Sequence, residues 1–150
     1  MADQGGAPAI EGLLETSLYA RNLRRTAAFY RDLFGFKALV DSPRLVAFEI
    51  AERSVLLVFQ AGATEQDILD AGGAIPGHDG NGRLHLALSI RADDLDAWRK
   101  RLSERGVVIV GEYRWPRGGV SLYMRDPDGA LVELATPGLW WPSDAHCVGP

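Results

Sequence analysis

The chain has 150 residues, with 16 basic against 20 acidic side chains and a net charge of −4, which excludes a basic nucleic-acid-binding module and a highly charged disordered chain. At 47% hydrophobic and 24% charged residues the composition is that of an ordinary globular protein, long enough to bury about two thirds of its unfolded surface in one unit or two small fused halves. No run reaches the ~18 apolar residues that span a bilayer, and Met1–Pro8 has neither the basic region nor the apolar core of a signal peptide, so the expectation is a cytoplasmic protein with no membrane and no nucleic-acid partner.

Residues 1–11 carry no periodicity and are expected to fray. Leu13 to Ala20 reads as a strand. Asn22 then caps a helix in which Leu23, Ala27, Tyr30 and Phe34 share one face, and Gly35 closes it. Strands follow at Phe36–Val40, Leu45–Ala51 and Ser54–Gln60, the last two joined tightly through Glu52 and Arg53. Residues 61–83 hold six glycines and one short helical signal, Thr64 with Asp67 three residues on, and read as a linker. The first order then returns: a strand at Leu84–Ile90, and a helix opened by Asp93 or Asp94 with Leu95, Trp98 and Leu102 on one face. Gly106 ends that helix, and strands follow at Val107–Tyr113, Val120–Arg125 and Leu131–Thr136. Asp126-Pro127-Asp128-Gly129 between the last two has the residue preferences of a type I turn.

Both halves thus read βαβββ, with nearly constant offsets: 72 from Leu23 to Leu95 and 71 from Gly35 to Gly106. The expected fold is α+β: two tandem modules, residues 12–60 and 84–137, forming a curved, mixed but mostly antiparallel sheet with the helices outside. The linker 61–83 lies between them, and residues 138–150 form a C-terminal tail. The concave face is the natural ligand site.

Among the ionisable residues within strands three stand out and require a reason: Glu15, His85 and Glu133. In Leu84 to Ile90 the even positions are large and aliphatic and the odd ones are His, Ala and Ser, so the odd face points at something small or polar, such as a cavity. Glu133 alternates in the same way. An offset of 70 carries Glu15 onto His85. Two carboxylates and an imidazole suit a divalent cation with positions left open for water or substrate. His78 and His146 read as solvated histidines of linker and tail. Cys147, the single cysteine, has no partner for a disulfide and no fixed cationic neighbour to stabilise a thiolate. The basic residues, 14 Arg with only Lys37 and Lys100, are spread along the chain rather than gathered into a phosphate patch. There is no Gly-x-Ser-x-Gly elbow and no Walker loop. Trp115-Pro116-Arg117-Gly118-Gly119 joins two strands, from where Arg117 and Trp115 are candidates for substrate binding.

The duplication, with Asn22-Leu23 through Phe29-Tyr30 to Leu33-Phe34-Gly35-Phe36 and Leu84-His85-Leu86-Ala87 with Asp126-Pro127-Asp128-Gly129 through Val132-Glu133-Leu134, resembles the vicinal oxygen chelate superfamily. That group includes glyoxalase I, fosfomycin-resistance enzymes, extradiol dioxygenases and bleomycin-resistance proteins. The resemblance implies a metal (Fe, Mn, Ni or Zn) held by Glu15, His85 and Glu133. It also implies twofold dimers in which modules of two chains face each other. The sequence departs from the pattern twice. The first-strand ligand is commonly His and here is Glu15, and the counterpart of Glu133 in the first half is Leu57 or Val58. Two carboxylates on M²⁺ sum to zero, against +1 for a two-His, one-carboxylate site, which counts against extradiol cleavage and leaves Glu15 open as ligand or general base. The resemblance therefore implies a metal-dependent enzyme, of lyase, isomerase or dioxygenase-like type, on a small substrate with vicinal oxygens, with Glu15 or Glu133 as the catalytic residue that moves the proton. The alternative is a metal-free binding protein that sequesters a flat aromatic or cationic compound among Trp115, Trp140 and Trp141.

Overall fold

The structure, a computed structural model, describes residues 6–142. Strand β1 (Glu15–Ala20) leads into helix α1 (Leu23–Phe34), where the Asn22 side chain accepts from the Arg25 amide at 3.1 Å. Gly35, at φ 71°, ends the helix by donating its N–H to the Arg31 carbonyl at 2.9 Å. The left-handed backbone there is why glycine is suited to the position. Strands β2 (Lys37–Asp41), β3 (Leu45–Ile50) and β4 (Ser54–Gln60) follow. The second module repeats the plan with β7 (His85–Ser89), a short 3-10 turn at Ala92–Asp94, helix α2 (Leu95–Glu104), β8 (Gly111–Arg114), β9 (Val120–Arg125) and β10 (Leu131–Ala135).

The two sheets have the same topology. Their orders are β1-β4-β3-β2 and β7-β10-β9-β8, with the first strand of each module parallel to the last and all other pairs antiparallel. The sheets are not closed and share no ladder, so β1 and β7 are both edge strands. Five strands bury an apolar face: Leu18 and Ala20 on β1, Val46 and Phe48 on β3, Leu56 and Val58 on β4, Leu122 and Met124 on β9, Val132 and Leu134 on β10. These pack with Leu23, Ala27, Tyr30 and Leu33 of α1 and Leu102 of α2 into one common core. With period two, the other face of each sheet turns away from that core, and the polar strand residues stand there.

Three local expectations change. Residues 61–83 hold no helix. They form a hairpin of β5 (Ile68–Asp70) and β6 (Gly73–Ile75) instead. The side chains that suggested a cap have other partners: Thr64, fully buried, donates its hydroxyl to the His78 carbonyl at 2.5 Å, and Asp67 accepts from the Gly77 amide at 2.8 Å. The strand read from Val107 begins only at Gly111, because the Val107 amide still bonds back to Leu102 of the helix end at 2.9 Å. Asp94 precedes α2 but makes no side-chain capping bond. His146 and Cys147 lie outside the described residues.

Candidate functional site

His85 and Glu133 meet on the outward face of the second sheet. Glu133 pairs with Ala87 of β7 and Tyr123 of β9, and His85, two residues before Ala87, sits diagonally across from it. His85 Nε2 lies 3.2 Å from Glu133 Oε2, with the His85 side chain 49% exposed and that of Glu133 6%. The imidazole is pinned from behind, since its Nδ1 is 2.9 Å from the Leu131 carbonyl. A carbonyl only accepts, so Nδ1 carries the proton and a neutral ring points its Nε2 lone pair at the carboxylate. Two acceptors facing each other need a cation or a proton between them.

The rest of this face supports Glu133. The hydroxyl of Ser121, which has no solvent exposure, donates to Glu133 Oε1, and Trp115 Nε1 donates to Ser121 Oγ at 2.8 Å. Tyr113 packs edge-on against Trp115 at 4.7 Å, and the Tyr123 ring lies 6.5 Å from His85. Burial, followed by the nearby Glu133 charge among smaller causes, pushes the Tyr123 phenol up. Arg117 donates to the Trp140 carbonyl at 2.6 Å. Trp140 and Trp141 are exposed and line an apolar cavity of about 290 Å³ together with Ala87, Ser89 and Leu139.

Glu15 stands on the corresponding face of the first sheet. Strand register makes the comparison exact in topology: Ser17, two beyond Glu15, pairs with Leu57, whereas Ala87, two beyond His85, pairs with Glu133. Leu57, not Val58, is therefore the counterpart of Glu133, and it is apolar. Glu15 borders a cleft of about 410 Å³ that also touches Phe34, Phe36, Trp98 and the β7 residues Ala87 and Ser89. Among the described residues no three His, Cys, Asp or Glu side chains stand close enough to hold one ion, so a single chain does not bring Glu15 to the His85–Glu133 pair.

His78 does not behave as a solvated linker residue. It is half-buried, with its Nδ1 2.7 Å from the Tyr19 hydroxyl and its ring edge-on to Phe59 at 4.7 Å. Tyr19 was detectable by strand parity with Glu15. Ser121 shares that kind of signal, a small polar residue inside an apolar strand. Nothing local in the sequence connects His78 to β1.

A family model described as Glyoxalase/Bleomycin resistance protein/Dioxygenase superfamily matches residues 12–134. A metallothiol transferase FosB from Bacillus licheniformis is 30% identical over 118 residues, covering 77% of this chain and 68% of the relative. A lactoylglutathione lyase from Salmonella typhimurium is 28% identical over 134 residues, covering 81% and 90%. Among solved structures, a lactoylglutathione lyase from Agrobacterium tumefaciens superposes with a TM-score of 0.80 at 33% identity, covering 89% of this chain and 98% of that one. With its duplicated βαβββ modules and the family model spanning both of them, this chain belongs to the Glyoxalase/Bleomycin resistance protein/Dioxygenase superfamily.

Proposed function

We propose that this protein is a divalent-metal-dependent enzyme acting on a small substrate with two neighbouring oxygens. The observation that carries the reading is the His85 Nε2–Glu133 Oε2 pair at 3.2 Å with Nδ1 committed to the Leu131 carbonyl. The donor set fits a metal. Imidazole nitrogen and carboxylate oxygen suit Fe, Mn, Ni or Zn, and two ligands each about 2.1 Å from one ion are separated by about 3.0 to 3.4 Å. The names of the relatives, a metallothiol transferase and a lactoylglutathione lyase, agree with a small-molecule reaction.

In this reading His85 and Glu133 hold the ion and Glu15 of a second copy of the chain faces them. When bound, the cation supplies Lewis-acid stabilisation to charge developing on the substrate oxygens. The chain's residues do the rest. The Leu131 carbonyl fixes the His85 tautomer, and Ser121 fixes the Glu133 carboxylate. The carboxylate of Glu15 accepts or returns a substrate proton or completes the ligand set. Arg117, exposed and bonded to the Trp140 carbonyl, is the cation this reading assigns to an anionic group of the substrate.

The protein purified without chelator, and then titrated with Fe²⁺, Mn²⁺, Ni²⁺ and Zn²⁺, tests the reading. His85→Ala and Glu133→Ala are each expected to weaken metal binding at least about tenfold while the fold survives. Equal metal content in wild type and both variants would refute the site. The exposed Trp140 and Trp141 beside an apolar cavity favour the second reading, a metal-free binder of flat aromatic or cationic compounds. Tight binding of such a compound by a chain that takes up no metal is its signature.

A further inference from the structure

Trp115, in the loop before β9 and a candidate for substrate contact, is half-buried with its indole N–H directed at the sheet. The Trp115 indole N–H ends on Ser121 Oγ at 2.8 Å, and Tyr113 holds the indole from the side at 4.7 Å. An indole N–H can only donate, so Ser121 Oγ is the acceptor in that bond. Its own proton is then directed to Glu133 Oε1. The direction of every bond in the chain Trp115 to Ser121 to Glu133 is set by chemistry alone, and it runs toward a carboxylate that must accept.

The consequence is an asymmetry in Glu133. Oε1 is occupied by a hydroxyl that is itself without solvent exposure, whereas Oε2 is turned to His85 Nε2 at 3.2 Å. Ser121 lies opposite Ala135, and Glu133 opposite Tyr123, so the serine reaches the carboxylate along the diagonal of the β9–β10 ladder. A free glutamate rotates about its last torsion and offers either oxygen or both. Here the two oxygens are not equivalent, because Oε1 accepts from Ser121 while Oε2 faces His85.

We propose that Ser121 and Trp115 are positioning residues that hold Glu133 as a one-oxygen metal ligand, with Oε1 tied to the Ser121 hydroxyl and Oε2 alone left for the ion beside His85. The proposal rests on the metal reading given above. It also moves Trp115 from a substrate contact to a strut beneath the site.

The test uses the full chain, Co²⁺ alone as the probe, and the visible absorption of the bound ion as the readout, with thermal unfolding of the metal-free protein as a control for folding. Ser121→Ala is expected to weaken Co²⁺ binding about tenfold or more and to shift the visible band, because the released carboxylate can turn or bind through both oxygens. Trp115→Phe keeps the ring and the serine but removes the donor that orients the hydroxyl, and is expected to lower affinity severalfold with a smaller band shift in the same direction. Ser121→Thr, which keeps the hydroxyl, is expected to restore the wild-type band. Wild-type affinity and an unshifted band in both Ser121→Ala and Trp115→Phe would overturn the proposal. If Ser121→Ala does not fold, Trp115→Phe alone decides. A wild type that takes up no Co²⁺ overturns the metal reading itself, and the proposal with it, a failure visible without any variant.

Discussion

At the residue scale the two modules differ where their topology makes them equivalent. Glu15 occupies the position of His85, and Leu57 the position of Glu133, so the second module carries an imidazole–carboxylate pair and the first carries one carboxylate next to an apolar side chain. In the proposed metal site Glu15 of the second copy has two available roles, and Glu15→Gln separates them. The amide keeps size and an acceptor oxygen but loses charge and basicity. If Glu15 is a base, turnover is expected to fall by about a hundredfold or more with metal content unchanged. Parallel loss of turnover and metal would make it a ligand. Unchanged turnover and unchanged metal content would remove Glu15 from the site.

At the element scale, the turn between β9 and β10 does more than reverse the chain. Gly129 donates to the Asp126 carbonyl at 3.0 Å, which closes the type I turn expected from Asp126-Pro127-Asp128-Gly129. The two aspartates then reach across to the other module. Tyr30 donates to Asp126 Oδ2 at 2.8 Å, Thr26 donates to Asp128 Oδ2 at 2.7 Å, and Arg21 binds Asp128 Oδ1 at 3.0 Å. Arg101 of α2 adds a bond to the Leu33 carbonyl at 2.6 Å. Burial pushes the Asp126 carboxyl up, outweighing the hydrogen bonds from Tyr30 and the backbone amides, and burial with the Asp126 charge raises Tyr30. Burial also acts upward on Asp128, but there the bonds from Thr26 and Arg21 win and hold it below its usual value of 3.8.

The two aspartates therefore make opposite contributions to acid stability. Asp128, depressed in the fold, contributes stability that is fully present above 3.8 and is lost as the pH falls through its folded value. Asp126, raised in the fold, binds its proton more tightly folded than unfolded, so its contribution grows as the pH falls. Asp128→Asn isolates the first. The variant is expected to be less stable than wild type by about 1 kcal/mol in urea at pH 7. That gap is expected to narrow below pH 3.8, and a gap independent of pH would refute the assignment.

At the scale of the whole molecule, the apolar faces of both sheets and both helices share one core, which leaves the sheet faces that carry Glu15, His85 and Glu133 turned away from it. Val108, Val110 and Tyr113 around the second sheet and Leu39 and Val40 on the first are exposed large apolar residues, and among the described residues the outer edges of β1 and β7 pair with no further strand. Edges and apolar patches of this kind are usually covered, and a twofold dimer is the commonest way for a soluble chain to cover them with itself. We propose a homodimer in which the first module of one copy faces the second module of the other. Light scattering across micromolar concentrations is expected to give twice 16.3 kDa, and a mass near 16.3 kDa would refute the dimer. If the dimer survives removal of the residues after Pro137, Trp140 and Trp141 serve the neighbouring cavity and not the interface.

Periodicity, caps and turn chemistry are properties of short stretches, and they alone were enough to show the duplicated βαβββ order, the start and stop of α1 at Asn22 and Gly35, and the Asp126–Gly129 turn. Strand parity was enough to place His85 and Glu133 on one face. The linker misled because Thr64 and Asp67 have the spacing of a helix cap, while their actual partners, the His78 carbonyl and the Gly77 amide, lie 14 and 10 residues away. Only tertiary structure decided that Leu57 is the counterpart of Glu133, since that depends on parallel register between strands some 40 residues apart. It likewise decided that Tyr19 meets His78, 59 residues on, and that Trp115 serves Ser121. A hydrogen bond between distant residues is set by the packing that brings their backbones together, and no local pattern encodes that distance.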